Sequence, residues 1–361
     1  MAESANLSMS ELQAKSGDRI SQALAPWLES QIAGAANMQL RNIVEPKQGL
    51  TSDTILFDAV WQAGGRQQTR PLVARIQRNT VCPMLADVFF QHDVMQLIAA
   101  HSEVSVPHIV FTERAGVALG QPFFLMDRVN GRVPSDFPLF HAEGWVFDLP
   151  IEQRARLWWN AIDEMAKLHR IDSAHFALIG KLDEDQGALF YLHNFIRKWL
   201  EWAAQGQSFP VLEEALLYLC SHVPAGEKCG LIWNDARMGN TMFADDLSVA
   251  AVFDFEVASL GPAEIDLAWW LYCEDLFSEQ FGAERLAGIP HEQEAIKGFE
   301  RLYDRAMPDF DYYLAIAALK HAVLSIRDYS NGKTVETPDA LPGFALDRLV
   351  RSIERHKQAH A

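Results

Sequence analysis

Two aspartates and an asparagine in the second half of the chain have the types and spacing of a phosphoryl-transfer site. Asp235 and Asn240 come after the apolar run 231–233, and Asp254 ends a second apolar run, 249–253. Because an uncompensated buried charge is costly, carboxylates at the ends of buried strands indicate a bound cation, and their oxygens suit Mg²⁺. In this arrangement Asp235 takes or orients the proton of an acceptor hydroxyl. Asn240 and Asp254 hold the metal that bridges nucleotide phosphates.

A simpler alternative is that these residues are turn formers, because Asp and Asn favour turns. The spacing of Asp235, Asn240 and Asp254, with Asp266 further along the chain, is more specific than a set of turns requires. The interpretation as a site is therefore favoured over the interpretation as turns.

The segments 233–243 (W-N-D-A-R-M-G-N-T-M-F) and 252–270 (V-F-D-F-E-V-A-S-L-G-P-A-E-I-D-L-A-W-W) resemble the aminoglycoside phosphotransferase/choline kinase family. The sequence looks closest to the branch fused to, or encoded beside, acyl-CoA dehydrogenases, and the resemblance extends from about Ile43 to about Arg327. It implies an α/β (α+β), protein-kinase-like two-lobed fold with a small β-rich N-lobe and a mostly helical C-lobe. It also implies ATP, with GTP as an alternative, bound together with Mg²⁺ in the cleft between the lobes.

The resemblance and the pattern of elements divide the chain into four parts. Residues 1–39 form an N-terminal extension with a lead-in helix at 20–32, and the polar segment to about residue 18 is expected to be loosely ordered. A small nucleotide-binding lobe follows at 40–126, a hinge at 127–133, and a large helical lobe with the catalytic loop and the metal site at 134–361.

Apolar periodicity and turn signals predict the elements within these parts. The pair Gly64–Gly65 between two apolar runs indicates a β-hairpin. In the small lobe, strands are predicted at 55–61, 71–76, 106–111 and 122–126, with a helix at 87–100. In the large lobe, a pair of strands at 231–233 and 249–253 bears the acidic cluster, and helices are predicted at 151–170, 192–204, 211–222, 266–276, 290–306 and 310–329.

The segment 48–54 precedes the first strand of the hairpin and contains Gly49 and Ser52 among other small polar residues. Backbone amides and hydroxyls of such a loop can wrap a triphosphate. The segment lacks a full glycine-rich motif, so an ordinary loop is the alternative. The resemblance to the family assigns Gly49 and Ser52 to nucleotide binding.

The resemblance places Arg75, on the return strand, where distant kinases carry the lysine that contacts nucleotide phosphates. A guanidinium can bind phosphate bidentately, and the alternative is a surface arginine on an edge strand. Gln91 falls where the family usually has the glutamate that pairs with this cation. Either the register differs here, or a neutral contact between Gln91 and Arg75 replaces the ion pair. This departure motivates the alternative of a nucleotide-binding module without turnover.

Four further residues are assigned by the resemblance and by their position in the chain. Asp127 and Val129 in the hinge are assigned to adenine recognition through backbone groups. Arg237, two residues after Asp235, either supports charge near the transferred phosphate or anchors the loop in a salt bridge. Asp266 resembles the family's structural aspartate, which ties the catalytic loop through backbone hydrogen bonds. The tryptophan pair 269–270 is predicted to lie in the core.

The composition limits the partners of the chain. The net charge is −17 and the pI is about 5.1, so a phosphate backbone or an anionic membrane surface would be repelled. The four cysteines form neither a C-x-x-C pair nor a zinc pattern, which is typical of reduced thiols in a cytosol. The sequence shows no signal-peptide pattern and no apolar stretch long enough to span a bilayer. We expect a cytoplasmic protein that binds neither nucleic acid nor membrane.

Together these features predict an ATP- and Mg²⁺-dependent O-phosphotransferase that acts on a hydroxyl of a small molecule. The family phosphorylates aminoglycosides, macrolides, choline and homoserine, and the branch implies hydroxyacyl compounds and a functional link to an acyl-CoA dehydrogenase. The large lobe is rich in Trp and Phe and shows no evident acidic cluster outside the metal site, which favours a hydroxyacyl or other partly apolar acceptor. The alternatives are a pseudokinase that binds nucleotide without turnover, an aminoglycoside or macrolide kinase, and a phosphohydrolase that uses the same carboxylates.

Overall fold

The computed structural model describes residues 9–46, 52–78, 82–85, 87–176, 187–328, 332–335, 337 and 340–361, and the chain forms two compact units. The first unit consists of the described residues within Met1–His92 and Pro107–Val129. The second consists of those within Asp93–Val106 and Asn130–Ala361. The segment 93–106 therefore groups with the second unit. There the carbonyl of Ser105 accepts a hydrogen bond from the amide of Val252, and the amide of Ser105 donates to Glu164.

One five-stranded antiparallel sheet, with the strand order β1-β2-β3-β5-β4, dominates the described part of the first unit. The strands are β1 (Ala36–Val44), β2 (Ser52–Ala63), β3 (Arg66–Gln77), β4 (Ile109–Glu113) and β5 (Phe123–Asp127). Helix α1 (Met9–Gln31) precedes them, and α2 (Val88–His101) lies between β3 and β4 along the chain. Leu24 and Leu28 of α1 share an apolar core with Phe57, Leu72 and Phe123 of the sheet.

The hairpin of β2 and β3 confirms the one predicted from its pair of glycines. Gly64 and Gly65 have φ angles of +59° and +74°, the left-handed values that a two-residue hairpin turn needs and that glycine adopts without strain. Ladder pairing continues without a shift from this turn to the pair Ser52–Gln77. Both strands are therefore longer than predicted.

Two features near the start of the chain differ from the prediction. Helix α1 begins at Met9, whereas the lead-in helix was predicted to begin at residue 20. Strand β1 was not predicted. Asn37 and Asn42 adopt φ angles of +57° and +51°, and the register shifts there interrupt the alternation that marks a strand.

The second unit is mainly helical. Its described helices are α3 (Ile151–Leu168), α4 (Gly187–Tyr191), α5 (Lys198–Ala204), α6 (Pro210–Ser221), α7 (Glu264–Leu276), α8 (Glu292–Tyr303), α9 (Phe310–Leu324) and α10 (Gly343–Ala359). A π-helical segment, Leu192–Arg197, joins α4 to α5 where a single helix was predicted. Helix α10 was not predicted, although Ala345, Leu349 and Ser352 recur at helical spacing on its buried face. Of the helices described, none is both long and apolar enough to cross a membrane.

The two apolar runs that carry the acidic cluster do not pair with each other. Strand β6 (Cys229–Ile232) pairs with β9 (Ser259–Pro262), and β8 (Val249–Val252) pairs with β7 (Thr241–Phe243), each in antiparallel fashion. The predicted pairing of these two runs is therefore wrong. The sequence did not reveal the true partners, because β7 and β9 have too few residues to show an apolar pattern. Asp235 lies between β6 and β7, and Asp254 follows β8.

Candidate active site

Asp266, in the first turn of α7, fixes the start of the loop that carries Asp235. Its Oδ2 accepts the amide of Trp233 at 2.6 Å and its Oδ1 accepts the amide of Asn234 at 2.7 Å, in a fully buried position. Asn234 has a φ of +66°, a left-handed conformation that asparagine tolerates better than most residues. The predicted tie of the loop by Asp266 is confirmed, and it holds the backbone immediately before Asp235.

The carboxylate of Asp235 receives hydrogen bonds from three side chains. Asn240 donates from Nδ2 to Oδ2 at 2.7 Å, and Arg237 donates from Nε to the same oxygen at 3.2 Å. Trp269 is buried, as predicted for a core residue, yet it also donates from Nε1 to Oδ1 of Asp235 at 3.1 Å. Because both oxygens have a donor, the carboxylate is held in one orientation.

Two cations and these donors keep Asp235 ionised. Burial raises the pKa of this carboxyl, but the charges of Arg237 and Lys320 and the hydrogen bonds from Trp269 and Asn240 outweigh burial, so the pKa of Asp235 lies below its usual value. A carboxylate that is ionised at neutral pH can accept the proton of a substrate hydroxyl.

Lys320, which the sequence analysis missed, is a buried cation beside this loop. It lies on α9 with 3% of its surface exposed, and its Nζ donates to the carbonyl oxygen of Asn234 and, at 3.0 Å, to the side-chain Oδ1 of that residue. Burial lowers the pKa of Lys320 to about 8, against the attraction of Asp235. A signal was present, because Lys320 directly follows the unbroken apolar run 314–319 of a buried helix.

Arg237 lies between two carboxylates. Besides Asp235, it binds Asp136 through Nη1, on a loop of the second unit where no pattern in the sequence marked the aspartate. Burial raises the pKa of Asp136 although Arg237 opposes that effect. Burial also acts to lower the pKa of Arg237, but the two carboxylates outweigh it and raise that pKa. The contacts support the role of a loop anchor, and a contact with the transferred phosphate stays a prediction.

Asn240 and Asp254, the predicted metal ligands, lie on segments that a backbone hydrogen bond joins. The amide of Phe253 donates to the carbonyl of Asn240 at 3.0 Å, and the indole of Trp233 donates to the carbonyl of Phe253 at 2.6 Å. The side-chain nitrogen of Asn240 donates to the carbonyl and carboxylate of Asp235, which directs Oδ1 of Asn240 to other partners. Together with the carboxylate of Asp254 this is an all-oxygen donor set, and its chemistry fits Mg²⁺.

The nucleotide-binding residues predicted in the first unit are described in part. Gly49 lies outside the described residues. Ser52 begins β2 and is buried, and its Oγ has no hydrogen-bond partner among the described residues. Arg75 donates from Nη1 to its cross-strand neighbour Thr54 at 2.8 Å, and no hydrogen bond joins it to Gln91, which is buried in α2. Between these two described residues the structure therefore shows no hydrogen bond in place of the ion pair, and the role of Gln91 stays a prediction.

Asp127 and Val129, predicted to contact adenine, lie at and just beyond the end of β5. The carboxylate of Asp127 accepts two hydrogen bonds from Arg70, at 2.7 and 2.9 Å, and lies 3.2 Å from His108. The hydrogen bond from Arg70 lowers the pKa of Asp127 despite partial burial. The amide of Asp127 donates to the carbonyl of His108 at 2.9 Å. These contacts occupy the side chain and amide of Asp127 within the first unit, and adenine recognition here stays a prediction.

Solved structures share this architecture. A candidate aminoglycoside phosphotransferase from Ralstonia eutropha matches 93% of this chain and 95% of its own, with a TM-score of 0.64 and 21% identity. A thermostable mutant of aminoglycoside phosphotransferase APH(4)-Ia, in ternary complex with AMP-PNP and hygromycin B, matches 93% of this chain and 99% of its own (TM-score 0.56, 16% identity). A macrolide 2′-phosphotransferase from Brachybacterium faecium matches 94% and 96% (TM-score 0.51, 14% identity). The predicted protein-kinase-like fold, an antiparallel sheet followed by a helical region, is confirmed.

The chain belongs to the phosphotransferase enzyme family, whose model matches residues 52–307. Acyl-CoA dehydrogenase family member 11 of Mus musculus is 24% identical over 225 residues, which are 59% of this chain and 27% of the mouse protein. Acyl-CoA dehydrogenase family member 10 of Mus musculus is 25% identical over 211 residues, 56% of this chain and 18% of that protein. The chain thus spans less than a third of the length of these curated relatives. The predicted resemblance to the branch associated with acyl-CoA dehydrogenases is confirmed.

Proposed function

We propose that the protein is an ATP- and Mg²⁺-dependent kinase that transfers the γ-phosphate to a hydroxyl of a small, partly apolar molecule. One observation carries the proposal. Asp235 is an ionised, partly buried carboxylate held by Asn240, Trp269 and Arg237 on a loop that Asp266 anchors. Such a fixed base is what phosphoryl transfer asks of a protein, since positioning and charge carry most of the catalysis.

In the proposed reaction Asp235 accepts the proton of the acceptor hydroxyl. The oxygen of that hydroxyl forms a bond to the γ-phosphorus while the bond from this phosphorus to the leaving nucleoside diphosphate breaks, so the products are a phosphate ester and ADP. Asn240 directs the carboxylate through its hydrogen bond of 2.7 Å. Arg237 keeps the loop in place through its ion pairs with Asp235 and Asp136.

The donor set of Asn240 and Asp254 supports a magnesium site. Both supply oxygen, and the backbone bond between Phe253 and Asn240 keeps their two segments together. When bound, Mg²⁺ neutralises charge on the phosphates. For the nucleotide we propose the predicted contacts: Gly49, Ser52 and Arg75 for the phosphates, and Asp127 and Val129 for adenine. AMP-PNP in the solved structure of APH(4)-Ia supports a nucleotide in this fold.

An exposed aromatic cluster supports a partly apolar acceptor. Phe137 directly follows Asp136, the partner of Arg237, and it is 58% exposed. Its ring centroid lies 5.1 Å from that of Phe281, which is 51% exposed, and 6.0 Å from that of Phe277. Exposed apolar side chains that cluster beside polar groups are typical of a binding surface. A hydroxyacyl compound would place an apolar chain here, in keeping with relatives named as acyl-CoA dehydrogenase family members.

The charge balance around Asp235 disfavours a polycationic aminoglycoside as the acceptor. Asp235 and Asp136 are already paired with Arg237, and Lys320 adds a second positive charge. A macrolide, which is large and mostly apolar, remains the alternative within the antibiotic class. The other alternative is a pseudokinase, which Gln91 in the place of the family's usual glutamate and Arg75 in the place of lysine favour.

The test is release of ADP with ATP, Mg²⁺ and a panel of hydroxyacyl compounds, an aminoglycoside and a macrolide. Asp235→Asn should abolish acceptor-dependent release while leaving nucleotide affinity by calorimetry unchanged, and Asp254→Ala should remove the dependence of that affinity on Mg²⁺. Asp245→Asn changes an exposed aspartate nearby in sequence and serves as the control. Turnover retained in Asp235→Asn would contradict the assigned base. Binding without turnover on any acceptor would indicate a pseudokinase, and phosphate release without an acceptor would indicate a hydrolase.

A further inference from the structure

A cluster of two histidines and an aspartate lies at the end of the last helix. His356 lies in the last turn of α10, and His360 is the residue that directly follows this helix. Asp309 immediately precedes α9. One ligand atom of each of these three residues lies within 4.8 Å of the others. None of the three belongs to the proposed phosphoryl-transfer site.

The contacts of His360 call for a cation beside its ring. Its Nδ1 lies 2.9 Å from the carbonyl oxygen of His356, and a carbonyl can only accept, so Nδ1 carries a hydrogen. In a neutral ring Nε2 then carries a lone pair, yet Nε2 lies 3.0 Å from Oδ1 of Asp309. Two acceptors at this distance repel each other unless a proton or a metal ion stands between them.

His356 is arranged as a metal ligand would be. It is 4% exposed, and its Nδ1 lies 2.7 Å from the hydroxyl of Tyr218. Ligating histidines characteristically donate their second ring nitrogen to a fixed oxygen, and Tyr218 can provide that oxygen while Nε2 faces a metal.

We propose that Asp309, His356 and His360 bind one divalent transition-metal ion, with Zn²⁺ as the preferred ion. Two imidazoles and one carboxylate suit Zn²⁺, whereas Mg²⁺ and Ca²⁺ prefer oxygen alone. Ligand atoms around a tetrahedral zinc lie roughly 3.3 Å apart, and the three ligand atoms here already lie within 4.8 Å of one another. Water would complete the coordination. The metal would connect the last turn of α10 to the start of α9, independently of the kinase activity.

The test is a calorimetric titration of Zn²⁺ into the metal-free full chain without an affinity tag. We expect one equivalent to bind, and His360→Ala and Asp309→Asn each to weaken the affinity at least tenfold. Zn²⁺ should also raise the midpoint of thermal unfolding of the parent protein and not that of His360→Ala, since a ligand that binds the folded state stabilises it.

His108→Ala is the matched control. His108 is an exposed histidine that contacts one carboxylate, that of Asp127, and lacks a second histidine in its cluster among the described residues. This variant and Asp254→Ala, which alters the proposed magnesium site, should both retain the parent affinity for Zn²⁺. Absence of binding, or a loss of affinity in His108→Ala as large as in His360→Ala, would overturn the proposal.

Discussion

The ammonium nitrogen of Lys320 lies 3.8 Å from the centre of the Trp269 indole ring, and the same indole donates its Nε1 hydrogen to Asp235. Lys320 therefore acts on the proposed base by two routes, its charge and the indole that it polarises. Its hydrogen bonds to the carbonyl and side chain of Asn234 place the cation directly against the residue before Asp235. A lysine some eighty residues away along the chain thus sets the electrostatics of the loop.

The first prediction concerns the pH dependence of turnover. Lys320→Met removes a buried positive charge that lowers the pKa of Asp235, so that pKa should rise. Because Asp235 is proposed to work as an ionised base, the acid limb of kcat/KM against pH should move to higher pH, with a several-fold loss of rate on that limb. The exposed Lys297→Met is the control and should leave the profile in place. An unmoved acid limb in Lys320→Met would contradict the coupling.

Lys320 also predicts how stability changes at alkaline pH. Its pKa falls from 10.5 to about 8 in the folded chain, so between these values the unfolded chain binds more protons than the folded chain. The contribution of this group to the free energy of unfolding therefore rises with pH through that window, because the cost of burying the charged form disappears. Urea unfolding between pH 7.5 and 10 should show the parent gaining stability relative to Lys320→Met. If the difference in free energy of unfolding between the parent and Lys320→Met stays constant with pH, Lys320 is not a buried lysine that titrates in this window.

The anchor at Asp266 predicts a large loss of stability on truncation. Asp266→Ala leaves the buried amides of Trp233 and Asn234 without their acceptor, which should lower the free energy of unfolding by about 2–5 kcal/mol. Asp347→Ala, at an exposed position of α10, is the control and should change it by less than about 0.5 kcal/mol. Denaturant titration of both variants measures these free energies of unfolding. Equal values for Asp266→Ala and Asp347→Ala would show that Asp266 does not hold the loop.

A glycine at a helix contact provides a test of the packing in the second unit. A Cβ added at Gly298 of α8 would collide with the ring of Trp159 on α3, whereas a Cβ at Gly343 at the start of α10 meets nothing within 4 Å. Alanine normally stabilises a helix by about 1 kcal/mol relative to glycine. We expect Gly343→Ala to be neutral or stabilising and Gly298→Ala to destabilise by about 1–3 kcal/mol. The midpoint of thermal unfolding of each variant measures this effect. If that midpoint rises in both variants, the close packing of α8 on α3 is wrong.

The part of the site that the sequence revealed is the part that is local along the chain. Asp235, Asn240 and Asp254 stand on one stretch of about twenty residues, and their types and spacing limit the possible chemistry. Apolar periodicity likewise indicated most helices, because burial on one face leaves a repeat in the sequence, and the glycine pair indicated the β2–β3 hairpin. The family resemblance then fixed the class of fold.

The part that the sequence did not reveal depends on contacts between distant segments. Lys320 and Asp136 reach the catalytic loop only through packing, and a single charged residue in a helix or loop does not say which partner it meets. The partners of β6 and β8 are strands of three or four residues, too short for a period of two to show. The hydrogen bond that Arg75 donates to Thr54 likewise depends on the direction of a side chain, which the sequence does not give.

The backbone of Asp254 limits how this position can vary over evolutionary time. Its φ of +65° lies in the left-handed region. Glycine, asparagine and aspartate are tolerated in this conformation, whereas β-branched residues are strained. Few residue types that resemble aspartate can therefore adopt the backbone conformation at this position. Glutamate would keep the charge but adopts a positive φ less readily than aspartate. Asparagine would keep the conformation but lose the charge. Substitutions that abolish the charge at position 254 can therefore leave the fold intact, so a descendant without the aspartate would remain folded but lack one ligand of the proposed magnesium site.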